Sequence, residues 1–245
     1  MTDKQPAEKK APQVSAKSND DVLREAHKRW MEHFSGPLLE VDVSVGSPAM
    51  ARIFKRDFNM TSRNIYYISV LGRAFLGDED SRKAEDYVKN NLANSIREVG
   101  DMIKVAEVSL LNAGVTQMAK YQNPKQESAK ITTPYSKQFT DLIKLADQYL
   151  LLLHTLWLSD VIDNDQRGEH ELQVKRKVKS VSNSAREMFT SMLNKVNARN
   201  NGAATTTILN YGKAKKNKKD TATESANGSE NSHENSEPGE SEIAA

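Results

Sequence analysis

The chain has no cysteine. Disulfides, thiolate metal sites and cysteine nucleophiles are therefore excluded, and a disulfide-stapled secreted module is not expected. A membrane-length apolar run is also missing. The longest, Tyr149 to Leu158, covers about half a bilayer and is interrupted by His154, so it reads as a buried helix. Met1-Thr2-Asp3-Lys4-Gln5-Pro6 carries no apolar core, so no secretory signal is expected and the protein should be cytoplasmic. Hydrophobic residues are scarce, 37% of 245, because both ends are polar and aperiodic. That leaves room for one ordinary domain with tails, or two small domains.

Chemical motifs are missing too. There is no Walker loop, dinucleotide fingerprint, Gly-x-Ser-x-Gly elbow or His-Glu-x-x-His. The five histidines (His27, His33, His154, His170, His233) do not stand three or four apart with a third ligand nearby. His154, inside the apolar run, is expected to be a buried, hydrogen-bonded histidine. Asp163-Asn164-Asp165-Gln166-Arg167-Gly168 fails as a calcium loop, with Arg167 at the fifth ligand position and Val174 where a bidentate Glu is required. It reads as an interhelical turn. No metal, cofactor or enzymatic activity is expected.

Charge is present but unevenly placed. Residues 220–245 hold seven acids and no Lys or Arg; residues 1–219 carry all 35 bases against 26 of the 33 acids, a net +9. That excess is compatible with a polyanionic partner. Residues 1–18 and 201–245 lack periodicity and read as disordered tails, the second basic (Lys213, Lys215, Lys216, Lys218, Lys219) and then acidic. The tail lysines could add non-specific affinity by counterion release, or serve solubility alone.

Residues 19–200 read as a helical domain with two short strands. A helix from Asn19 carries Val22, Leu23, Ala26, Trp30 and Phe34 at helical spacing and ends at Gly36-Pro37. Residues 38–45 alternate strictly, with Leu39, Val41, Val43 and Val45 on one side. Ser47-Pro48 opens a helix. Ile65 to Leu76 is helical up to Gly77, and Asp80-Ser81 opens a long helix in which Gly100 marks an expected kink. A loop at 121–126 precedes a second strand, 127–133. Helix 139–158 is apolar nearly all round and calls for cover on several sides, by the fold or by another subunit. The last helix has a stripe of Val174, Val178, Val181, Ala185, Phe189, Met192 and Val196.

Strand, helix, helix over about 127–199 is the order of a ribbon-helix-helix DNA-binding unit, embedded here in a larger helical domain. Such a unit inserts a two-stranded antiparallel ribbon, one strand from each subunit, into the major groove. Outward side chains must then hydrogen-bond and preferably be cationic. Strand 38–45 fails, because Glu40 and Asp42 would face outward. Strand 127–133 passes, with Ser128, Lys130 and Thr132 outward as base-edge candidates and Ala129 and Ile131 inward. Lys125, Lys137, Lys175, Arg176, Lys177 and Lys179 are phosphate candidates, which position without specifying sequence. The plain alternatives are a solvent-facing strand and a solvated helix face.

The stretch Asp141-Leu-Ile-Lys-Leu-Ala-Asp-Gln-Tyr-Leu-Leu-Leu-Leu-His-Thr-Leu-Trp-Leu-Ser-Asp-Val-Ile-Asp163 resembles a segment of the AcaB-like conjugation proteins of plasmids and integrating conjugative elements. Strand Leu39 to Val45 with its Ser47-Pro48 sequel is similar to that family's opening strand. The likeness covers roughly 36–198. It implies a homodimeric transcription regulator, an activator of conjugative-transfer genes, on double-stranded promoter DNA in the nucleoid- or plasmid-associated bacterial cytoplasm. A contact with RNA polymerase would belong to that role. The alternative is a helical scaffold or accessory protein of the conjugation apparatus that binds no DNA.

Overall fold

The computed structural model describes residues 19–199; the basic and acidic tail and the N-terminal arm lie outside the described residues. The order is α1 (Asn19–Glu32), β1 (Leu39–Val45), α2 (Pro48–Ile53), α3 (Asn59–Tyr66), α4 (Gly72–Leu76), α5 (Asp78–Asn112), β2 (Lys125–Ile131), α6 (Pro134–Leu158) and α7 (Asn164–Arg199). The architecture is mostly helical, with one two-stranded antiparallel sheet.

Helix starts follow local chemistry. Ser47 caps α2 by accepting from the Met50 amide at 3.2 Å, with Pro48 in the first turn. Between α2 and α4 the path stays helical but widens into π turns at Phe54–Phe58 and Tyr67–Leu71, a feature the apolar spacing did not reveal. Gly77, at φ 86°, ends that path and admits α5, whose first turn bears Asp78, Glu79 and Asp80 at the positive end of the helix dipole. α5 runs through Gly100 as one continuous helix. Asp163 and Gln166 cap α7 reciprocally: Asp163 Oδ1 accepts from the Gln166 amide at 2.7 Å, and Gln166 Oε1 from the Asp163 amide at 3.1 Å. Residues 164–168 are therefore the first turns of α7 rather than the interhelical turn expected of them; the connection between α6 and α7 is 159–163.

β1 and β2 pair in register from Leu39↔Ile131 to Val45↔Lys125. The second strand is thus 125–131, two residues earlier than the alternation predicts. Thr133 and Ser136 form a capping box that opens α6, and Ser136 Oγ accepts from the amides of Thr132 and Thr133 at 3.2 and 3.0 Å. Residues 132 and 133 are committed to the helix start and leave the ladder.

α5 and α6 run the same way, since Tyr135 donates to Glu85 at 3.1 Å, whereas α7 runs back, with Lys195 on Asp80 at 3.1 Å and Lys177 on Glu98. The main core joins the ribbon's inner face (Val43, Val45, Ala129, Ile131) to Phe54, Phe58 and Phe139, stacked at 4.7 and 6.2 Å, and to α5, α6 and α7. Tyr149, Leu150, Leu152, Leu153 and Leu156 are buried within the chain itself. Helix α6 therefore obtains its cover from its own fold, and of its large hydrophobic side chains only Trp157 and Leu158, at its end, are exposed. A second cluster gathers Ile65, Ile68, Leu76, Ala84, Val88, Ala185 and Met192. Along the chain, the buried polar residues Thr61, Ser62 and Asn64 separate the two clusters before Ile65, and Ser182 and Ser184 do so before Ala185.

Candidate nucleic-acid interface

Two strands of seven residues make a ribbon about 20 Å long at ~3.4 Å per residue. Alternation sends Val43, Val45, Ala129 and Ile131 into the core, as expected from the sequence. The other set faces outward: Glu40, Asp42 and Ser44 on β1, opposite Lys130, Ser128 and Gln126 on β2. The strand rejected for its carboxylates is therefore the partner of the strand selected for its lysine. The ladder closes within one chain instead of drawing one strand from each subunit.

This partnership changes the electrostatics of the row. One ammonium shares it with two carboxylates. Ser128 Oγ donates to Glu40 Oε1 at 2.8 Å, and Gln126 Nε2 to Ser44 Oγ at 3.1 Å. The face is a hydrogen-bonding surface of mixed charge, not the cationic strip expected of β2 alone. Lys130 has no ion pair among the described residues. Thr132 does not continue the outward row: it lies past the strand end, and its Oγ1 is buried without a hydrogen-bond partner.

The six phosphate candidates do not form one surface. Lys125 closes the ribbon opposite Val45 and is exposed. Lys137, in the first turn of α6, reaches Asp141 at 3.0 Å. On α7, Lys175 pairs with Glu171 at 2.5 Å, while Lys177 turns to Glu98 of α5. Arg176 and Lys177 line a shallow polar groove between α5 and α7, about 520 Å³, with Asn91, Asn94, Glu98 and Ser180. Lys179 is exposed and, like Lys125 and Arg176, has no ion pair among the described residues.

The far end of the ribbon is anchored by residues that no motif announced. Asp147 of α6 accepts from the Gly46 and Ser47 amides at 2.8 and 2.7 Å, tying the exit of β1 to the middle of α6. Tyr121 lies on Gly46 so closely that a Cβ there would stand 2.0 Å from its ring. Its hydroxyl meets His154 Nδ1 at 3.1 Å. His154 is half-buried and hydrogen-bonded; burial, opposed by Glu171, lowers its pKa. Burial, with Asp147 and Glu171, pushes the Tyr121 phenol up. Nothing in the local sequence distinguishes Asp147 from the other acid of α6, Asp141, because its partners lie 100 and 101 residues away. Among the described residues no group of three or more side chains could hold a metal, and no helix is long and apolar enough to cross a membrane.

No protein-family model matches the chain, and no curated protein does. Among solved structures, the selenomethionine-containing AcaB from uropathogenic E. coli is similar, with a TM-score of 0.64 over 69% of this chain and 87% of AcaB. The two sequences are 19% identical, so the likeness concerns the fold: the chain has an AcaB-like fold.

Proposed function

We propose that the chain is a sequence-selective DNA-binding regulator of transcription that lays its β1–β2 ribbon in the major groove. One observation carries this reading: a two-stranded antiparallel ribbon has its apolar face sunk in the core and its entire outer row built of hydrogen-bonding side chains. The major groove admits such a ribbon. On this reading Lys130 and Ser128 of β2 meet base edges, lysine suiting guanine O6 and N7, and Gln126 joins them. Glu40 and Asp42 accept from cytosine amino groups or orient their neighbours. Attraction to phosphate then comes from the cations that no acid holds, Lys125 at the end of the ribbon and Lys179 and Arg176 on α7. Lys137, Lys175 and Lys177 would first have to leave Asp141, Glu171 and Glu98.

The protein would act as a homodimer, one ribbon per half-site, on promoter DNA. The resemblance of segment 141–163 extends the proposal to activation of conjugative-transfer genes on a mobile element, with RNA polymerase as a further partner. The test is fluorescence anisotropy on duplexes from the regulatory regions of its own genetic element, beside random duplex, across a salt series. Selective binding that persists at ~150 mM salt is expected, weakening linearly on a log–log plot as counterions are released. Lys130→Ala should cost about 1–3 kcal/mol on the selected duplex and little on the random one. Absence of binding at low salt, or equal binding to both duplexes, would refute it.

A second reading is favoured by Val105, Val108 and Leu111, 68%, 55% and 78% exposed at the end of α5. Spaced three apart, they present a short apolar stripe of the kind a protein partner covers. A scaffold of this kind would bind that partner through apolar surface and depend only weakly on salt.

A further inference from the structure

Two side-chain bonds set the levels of the three long helices. Tyr135 of α6 reaches Glu85 of α5, and Lys177 of α7 reaches Glu98 of α5. Each residue adds about 1.5 Å along its helix. At the same offsets, Leu158 at the end of α6 stands level with Val108 of α5, and Gly168 near the start of α7 stands level with Glu107. The end of α5, the end of α6 and the start of α7 therefore share one end of the bundle.

That end collects exposed apolar side chains. Val105, Val108 and Leu111 stand on α5; Trp157 and Leu158 close α6, and Val161 follows in the turn. Met118 joins them, because the neighbouring Ala119 amide donates at 3.2 Å to Thr155 Oγ1, which shares a face of α6 with Leu158. These are seven of the thirteen large hydrophobic side chains that the described residues expose, and such a concentration marks an interaction surface where scattered ones do not. Arg167 steadies Trp157: its guanidinium lies 4.5 Å over the ring and its Nη2 donates to Asn164 at 2.7 Å.

Charge decides what fits there. Residues 157–172 hold five acids, with Arg167 as their one Lys or Arg, in a chain whose first 219 residues carry a net +9. Asp163 caps α7 and Glu171 pairs with Lys175. Asp160, Asp165 and Glu169, and Glu107 on α5, are exposed and have no ion pair among the described residues. Four free carboxylates repel phosphate, and they repel a second copy presenting the same surface. They attract a segment that sets lysine or arginine beside large apolar side chains.

We propose that this end of the bundle is a docking surface for a cationic amphipathic segment of another protein. The proposal goes beyond the DNA reading and holds whether or not the ribbon binds a duplex. It also gives a charge to the partner of the α5 stripe, so binding falls with salt, which apolar contact alone does not require.

The probe is a labelled helical peptide of leucine and lysine with its leucines on one face, beside the same peptide with glutamate for lysine. Both carry a photo-crosslinker and are titrated onto the full-length protein. The lysine peptide should bind, the glutamate peptide should not, and crosslinks should fall within 101–120 and 157–172. Leu111→Ser/Leu158→Ser should weaken binding about tenfold. Glu107→Gln/Asp160→Asn/Asp165→Asn/Glu169→Gln should weaken it about tenfold at low salt and flatten its salt dependence. All six positions are exposed, and circular dichroism checks that both variants fold; the crosslink map stands without either. No binding of the lysine peptide, equal binding of both peptides, or crosslinks elsewhere would overturn the proposal. So would self-association of the wild type that Leu111→Ser/Leu158→Ser abolishes, which would make a second copy the occupant.

Discussion

Replacing Asp147 by alanine removes one carboxylate that satisfies two backbone amides at once, Gly46 at 2.8 Å and Ser47 at 2.7 Å. Ser47 is 1% exposed, so its amide gains no water when the acceptor goes. Hydrogen bonds to charged groups contribute about 1.5–3 kcal/mol each, and a buried donor left alone costs a similar amount. The two bonds share one acceptor and are not additive, so the expected loss for Asp147→Ala is about 2–4 kcal/mol. For a folded unit of roughly 180 residues, the size of the described part, each kcal/mol lowers Tm by about 2–4 °C, giving a fall of about 5–15 °C by calorimetry or circular dichroism. Asp147→Asn keeps one acceptor oxygen and should lose about half as much. Because Gly46 directly follows β1, amide exchange over residues 39–47 should accelerate in both variants, while exchange in the middle of α5 responds only to the global loss. A loss below about 1 kcal/mol in Asp147→Ala, or unchanged exchange across 39–47, would show that Asp147 does not anchor the ribbon.

Three other perturbations follow from the same geometry. Gly46→Ala should destabilise by about 1–3 kcal/mol, because the new Cβ meets the Tyr121 ring at 2.0 Å; in a Tyr121→Ala background the same change should be nearly neutral, and equal costs in both backgrounds would disprove the contact. Ser182→Ala removes a buried hydroxyl that has no hydrogen-bond partner, so Tm should hold or rise by the equivalent of about 1 kcal/mol, and a loss of that size would mean a partner exists. His27 has a folded-state pKa of about 4 against an ordinary value of 6.5. The unfolded chain therefore takes up the proton first, and the contribution of neutral His27 is complete above pH 6.5 and is lost as pH falls toward 4. His27→Gln should flatten the stability curve across that window relative to wild type; parallel curves would contradict the burial of His27.

Much of the architecture follows from near neighbours in the chain. Ser47-Pro48 and Thr133-Pro134 open helices because a hydroxyl side chain can satisfy the free amides of a first turn and proline has none to satisfy. The valines of 41–45, and Ala129 and Ile131, point inward because a strand alternates faces. Val174, Val178, Val181, Ala185 and Met192 of the α7 stripe are buried as their helical spacing requires, and Phe189 is half-buried among them. Even so, the second strand is displaced by two residues, because the Thr133–Ser136 capping box withdraws Thr132 and Thr133 from the ladder. Local patterns contain the materials of a capping box, but not the outcome of its competition with a ladder.

Pairing and charge depend on distance in space, which sequence separation conceals. Strand β2 hydrogen-bonds to a strand more than eighty residues earlier, so the carboxylates Glu40 and Asp42 stand in the same outward row as Lys130. The cations of α7 look alike in sequence, yet Lys177 turns to Glu98 of α5 while Lys175 stays on its own helix with Glu171. Asp147 becomes an anchor only because α6 passes the turn after β1. Periodicity and capping determine which residues form helices and strands and which faces they bury, since those effects act within a few residues. Which strand pairs with which, which cations remain free and what covers the apolar side chains of α6 were decided by the tertiary structure, because each depends on groups that only the folded chain brings together.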